Sequence, residues 1–127
     1  MRPSLLALVF LGGGLGSICR YLLATSLQRG FAGSFPIGTF VVNLIGAFAI
    51  GLVGALGLER AAISPEARVF LMVGILGGFT TFSSFAWETL GLLSARDVFR
   101  ATLYVAGSVF LGLMGTWLGR LLGRMGT

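Results

Sequence analysis

The chain of 127 residues is 56% hydrophobic and only 10% charged, with a mean hydropathy of +0.98. Soluble domains carry about 25% charged residues, so that class is excluded. Nine arginines and no lysine stand against four acids for a formal charge of +5, and they punctuate apolar runs instead of clustering as a nucleic-acid face requires. Histidine is absent and Cys19 stands alone, which excludes histidine acid–base chemistry, zinc clusters and intrachain disulfides.

A bilayer core about 30 Å thick needs roughly 20 apolar residues of helix. Four segments qualify, near Ser4–Leu27, Pro36–Leu58, Ala67–Leu93 and Val98–Leu122, joined by connectors too short to hold a domain. The expectation is a single all-α, multi-pass membrane domain over residues 1–127. The run LLALVFL after Arg2 has the look of a secretory leader. Ile18, however, stands where a lipoprotein cleavage site before Cys19 needs a small residue, so the segment reads as a span.

In the first span, GGGLG (Gly12–Gly16) resembles a phosphate loop only in its glycines, since the Gly-Lys-Ser/Thr ending is missing. Gly12 and Gly16 instead begin a series of small residues four apart, continued by Ala47, Gly51 and Ala55, by Gly74 and Gly78, and by Gly115, Gly119 and Gly123. That spacing lets helix backbones touch. Arg20 lies inside the same span, where a charge is costly and points to a polar path or to snorkelling at the interface.

The second span is uncharged but carries Thr39 and, one turn on, Asn43. The third holds GGFTTFSSF, Gly77 to Phe85. Two glycines followed by two β-branched threonines make a poor helix interior, so a break is expected there, freeing carbonyls near Gly77 and Thr80. Irregular backbone at membrane depth persists only when protein buries it or a cavity or ion satisfies it, and carbonyl oxygen suits a hard cation. Phe82 and Phe85 share a helical face. The positive edge of an aromatic ring favours a small anion without the grip of a full charge. Glu88, a turn further, reads as an interfacial carboxylate in preference to a gate. In the fourth span, Tyr104 and Ser108 stand one above the other as a short hydrogen-bonding track, and Gly112 ends it.

Arg2, Arg60, Arg68, Arg120 and Arg124 fall on the side of the termini, and Arg20, Arg29, Arg96 and Arg100 on the other. Five against four gives almost no positive-inside bias. The expectation is a chain that inserts both ways, two copies pairing antiparallel about an axis in the membrane plane.

Taken together, GGGLGSICRY, GTFVVNLIGAFAIG, GGFTTFSSF and the Tyr104–Ser108 pair strongly resemble the CrcB/Fluc family of fluoride channels, over essentially the whole chain. The resemblance implies a dual-topology homodimer in the inner (plasma) membrane, passing fluoride passively out of the cytoplasm to limit its toxicity. It implies that Phe82 and Phe85 line the pore as an aromatic box, and that Asn43 donates along the path with Thr39. Tyr104 and Ser108 would form the polar track, and Arg20 would lie near a vestibule. It also implies a structural Na⁺ at the dimer centre, held by the backbone carbonyls of Gly77 and Thr80 from both subunits. The chain departs from the family at Gly112, where some members carry a hydroxyl.

A small multidrug exporter is the nearest alternative, but such proteins need a glutamate in the first span, and none is present. A membrane scaffold would explain the glycines but not Asn43 with the phenylalanine pair. An enzyme would need convergent acids, bases or metal ligands, and the four carboxylates are scattered near segment ends.

Overall fold

The structure, a computed structural model of the chain, describes residues 2–125. Among them there is no strand, and four helical segments are long and apolar enough to cross a membrane: Pro3–Gly30, Ile37–Glu59, Pro65–Ser94 and Val98–Met125.

Local chemistry sets where the helices start. Pro3 and Pro65 sit in first turns, where a missing N–H costs nothing. Ser64 caps the third span by accepting from the Ala67 amide at 3.1 Å. Asp97 performs the same service for the fourth, accepting from the Arg100 amide at 3.1 Å. The second span widens at its end into π-type turns over Ala55–Glu59, and the third does so over Val69–Leu76.

Two seams organise the spans. The first span packs on the upstream half of the third, and the second packs on the fourth. Glycines make both seams possible. A Cβ on Gly16 would lie 2.0 Å from the Ile75 carbonyl oxygen, and one on Gly119 would lie 2.1 Å from that of Phe48. The four small-residue series in the sequence are thus two pairs of facing surfaces. Outward, the helices present apolar side chains such as Phe10, Trp87 and Phe110, as a lipid-facing surface requires.

The third span is interrupted, though not where its glycines stand. Gly77–Phe79 remains helical, and the chain turns extended at Thr80 (φ −85°, ψ 156°) and Thr81 (φ −150°, ψ 116°) before the helix resumes over Phe82–Ser94. Gly78 serves close packing instead, since its Cβ would lie 2.3 Å from the Gly13 carbonyl oxygen. The β-branched threonines, which favour extended backbone, carry the interruption. Gly46 on the second span makes room for it, because a Cβ there would stand 2.1 Å from the Thr80 methyl.

At the end that carries the termini, Glu59 pairs with both Arg120 and Arg124, Arg2 pairs with Glu66, and Arg60 donates to the Gly123 carbonyl at 3.1 Å. These contacts tie the ends of the second and third spans to those of the fourth and first.

Candidate functional site

The extended residues expose backbone that side chains from other spans satisfy. Asn43 spans Thr81 with both ends of its amide: Nδ2 donates to the Thr81 carbonyl at 3.0 Å, and Oδ1 accepts from the Thr81 N–H at 2.8 Å. In a continuous helix that N–H would close on the Gly77 carbonyl. Turning it to Asn43 therefore releases Gly77. Thr80 Oγ1 donates back to the Leu76 carbonyl at 2.9 Å, while Thr81 Oγ1 caps the resumed helix by accepting from the Ser84 amide at 3.2 Å.

From the first span, Arg20 Nε donates to the Gly78 carbonyl at 3.1 Å, and Ser17 Oγ reaches the same oxygen at 3.4 Å. The arginine is turned toward the interruption and half-buried.

One turn along the resumed helix lies a second cluster. Glu88 Oε1 accepts from Thr39 Oγ1 at 2.7 Å, and Oε2 accepts from the Tyr104 hydroxyl at 2.6 Å. Spans two, three and four meet at this carboxylate. Tyr104 is fully buried against Leu92 and Ala101, with Phe35 and Phe85 packed on it. Its ring centre lies 5.0 Å from that of Phe85, which in turn lies 5.6 Å from that of Phe82. Phe82 faces outward with 79% of its surface exposed. Ser108 follows Tyr104 by one turn, and its buried Oγ has no partner among the described residues.

Two recesses open beside these clusters. One, of about 330 Å³, is lined by Asn43, Gly46, Thr80, Thr81, Phe82 and Thr116. The other, of about 390 Å³, is bounded by Gln28, Ser34, Glu88, Gly91 and Asp97. Phe82 thus borders the first recess and Glu88 the second.

The structure thus places the residues singled out by sequence at two stations. Asn43 joins the interruption with Gly77, Thr80 and Arg20, whereas Thr39 joins Glu88 and Tyr104, and the Phe82–Phe85 pair lies between them. Tyr104 and Ser108 are not joined by a hydrogen bond, since the tyrosine hydroxyl is given to Glu88. Gly112 still contributes a polar atom, because its carbonyl accepts from Thr116 Oγ1 at 3.1 Å. Glu88 is the residue that sequence undervalued. It is not a bare interfacial carboxylate, and the available signal was its position a turn beyond Phe85 inside an otherwise uncharged run.

No cluster of three or more histidine, cysteine, aspartate or glutamate side chains occurs among the described residues. A cation at this site would therefore depend on backbone oxygen. The Gly77 and Thr80 carbonyls suit that chemistry, being hard donors freed from helical register by the interruption.

The family model described as "CrcB-like protein, Camphor Resistance (CrcB)" matches residues 7–120. A Thermus thermophilus protein named "Fluoride-specific ion channel FluC" is 53% identical over 116 residues, 91% of each chain. Proteins of the same name from Nitratidesulfovibrio vulgaris and Aquifex aeolicus are each 44% identical. The first covers 94% of this chain and 97% of its own length, the second 91% and 94%.

Proposed function

This chain belongs to the CrcB family, and from that premise we propose that it is a fluoride-specific passive ion channel of the inner membrane, releasing fluoride from the cytoplasm. The single observation that carries the pathway is the interruption at Thr80–Thr81 followed by Phe82 and Phe85, with hydroxyl, guanidinium and amide groups from the first and second spans converging on it.

Fluoride is small, hard and strongly hydrated, so it leaves water only for a succession of donors. Asn43 and the unpartnered Ser108 carry such groups with capacity to spare, and Thr39 and Tyr104 carry hydroxyls at the station beyond the phenylalanine pair. The Thr39 and Tyr104 hydroxyls each have a single O–H and give it to Glu88, so fluoride would have to take the place of that carboxyl to receive them. The ring edges of Phe82 and Phe85 add weak, neutral attraction between donor stations. Conduction needs binding weak enough to release, and no lysine interrupts the path. The Gly112 position leaves the track to Tyr104, Ser108 and the Thr116 hydroxyl.

The channel is read as a homodimer of two oppositely inserted copies, with the interruption at mid-membrane depth. The near-even arginine count supports the dual insertion, and the outward face of Phe82 supports a covering partner. The Gly77 and Thr80 carbonyls would hold a Na⁺ between the two copies, whose charge would balance the freed carbonyl dipoles. In this arrangement Asn43 keeps Thr81 from reclaiming the Gly77 carbonyl.

The test is efflux from liposomes loaded in parallel with fluoride and chloride, the voltage dissipated by an ionophore. Rapid fluoride loss with chloride retained is expected. Retention of both anions by a folded protein would overturn the reading.

A further inference from the structure

We propose that Arg20 is a positioning residue that acts through its Nε–H as a surrogate backbone amide at the interruption, and not as a cationic attractor of the anion. This rests on the channel reading for its functional consequence, but its geometric basis stands apart from it.

The Gly78 carbonyl is the acceptor that Phe82 N–H would satisfy in a continuous helix, and Thr80 and Thr81 leave helical register before that amide arrives. An unpaired carbonyl in hydrocarbon is costly. Arg20 Nε meets it at 3.1 Å and Ser17 Oγ at 3.4 Å, two donors one turn apart on the first span. Arg20 lies ten residues before the end of its helix at Gly30, about 15 Å along the axis, so its side chain is directed at the interruption in preference to the interface.

The facing glycines fix the distance. Gly16 abuts the Ile75 carbonyl and Gly78 abuts Gly13, so the first span lies close enough for the side chain to reach Gly78 with Nε. The clamp has two consequences. It fixes the last helical turn before Phe82, and so the direction in which that ring leaves the chain. It also occupies the Gly78 oxygen, leaving Gly77 and Thr80 as the carbonyls open to a cation.

The roles of donor and charge separate cleanly by substitution. In Arg20→Gln the amide Nε2 occupies the position of arginine Nε, which keeps the donor and removes the charge. In Arg20→Lys a carbon stands at that position and the charge is kept, one bond further out. Arg20→Met has the same reach with neither.

The experiment measures fluoride efflux and hydrogen–deuterium exchange of the peptide containing Thr80–Phe82, with assembly checked by size-exclusion chromatography. Glutamine is expected to retain more flux and slower exchange than lysine. Methionine is expected to lose about tenfold in flux, the scale of one hydrogen bond, with the fastest exchange at the interruption. If methionine fails to assemble, the glutamine–lysine order decides alone. Lysine equal to or better than glutamine, or exchange unchanged in all three, would overturn the proposal. Were the wild type to move no fluoride, the channel reading would fail while the exchange order still judged the clamp.

Discussion

The seam between the second and fourth spans and the interruption of the third both bring backbone against neighbouring structure, but they do so by opposite means. In the seam, side chains are removed. Gly51 and Gly119 let the helices meet at distances where a Cβ would stand 2.1 Å from a carbonyl oxygen, and both helices run through the contact without a break. At the interruption, side chains are supplied. Asn43, Arg20 and Ser17 reach across from two other spans to replace hydrogen bonds that the third has given up. Rigidity comes from the first arrangement, and a polar surface within an apolar bundle comes from the second.

The largest effect is expected where one side chain replaces two backbone partners. Asn43→Leu strands the Thr81 N–H and takes one of two donors from its carbonyl, and should cost about 3 kcal/mol, roughly 2 kcal/mol for the unsatisfied group and about 1 kcal/mol for the second bond. Thermal unfolding in detergent measures it, and a midpoint like the wild type's would mean that the interruption has other support.

Gly119→Ala attacks the seam instead. Its Cβ meets the Phe48 oxygen, and overpacking of this kind costs about 2 kcal/mol. Unlike Asn43→Leu, it should lower stability with little change in fluoride selectivity, which parallel fluoride and chloride efflux would reveal.

Glu88→Gln keeps one oxygen as an acceptor for Thr39 but turns an amide N–H₂ toward Tyr104, so one hydrogen bond is lost at a cost of about 1 kcal/mol. The infrared band of the Glu88 carboxyl should be lost and that of the tyrosine should shift in the variant. An unaltered tyrosine band would contradict the contact.

The smallest effect lies outside both regions, at the cap of the fourth span. Hydrogen bonds from Arg100 hold the Asp97 carboxyl below the ordinary aspartate range. Its contribution is present above the unfolded aspartate pKa and is lost as pH falls through the depressed folded value. Asp97→Ala should therefore lower stability slightly at neutral pH and flatten the acid limb of a stability–pH curve. A limb as steep as the wild type's would contradict the pairing.

The same contrast separates what the sequence discloses from what it hides. The four spans are legible because hydropathy is a running property of the chain, and the seams are legible because small residues four apart occupy one helical face. The interruption was marked by GGFTT, but its location depends on the competing demand that Gly78 pack against Gly13, which is visible only once the first span is in place. Asn43 announced itself as an amide in an uncharged span without naming Thr81 as its partner. Glu88 hid its role for the same reason: Thr39 and Tyr104 lie 49 and 16 residues from it along the chain. Convergence from separate spans leaves no periodic trace.

In the proposed channel, fluoride passes beside the phenylalanines at the interruption. Fluoride efflux from liposomes bearing Phe82→Ile and, separately, Phe85→Ile tests it most directly, with assembly verified for each. Flux should fall in both while the protein remains assembled. Wild-type flux in both would leave the pair as ordinary packing and place the path elsewhere.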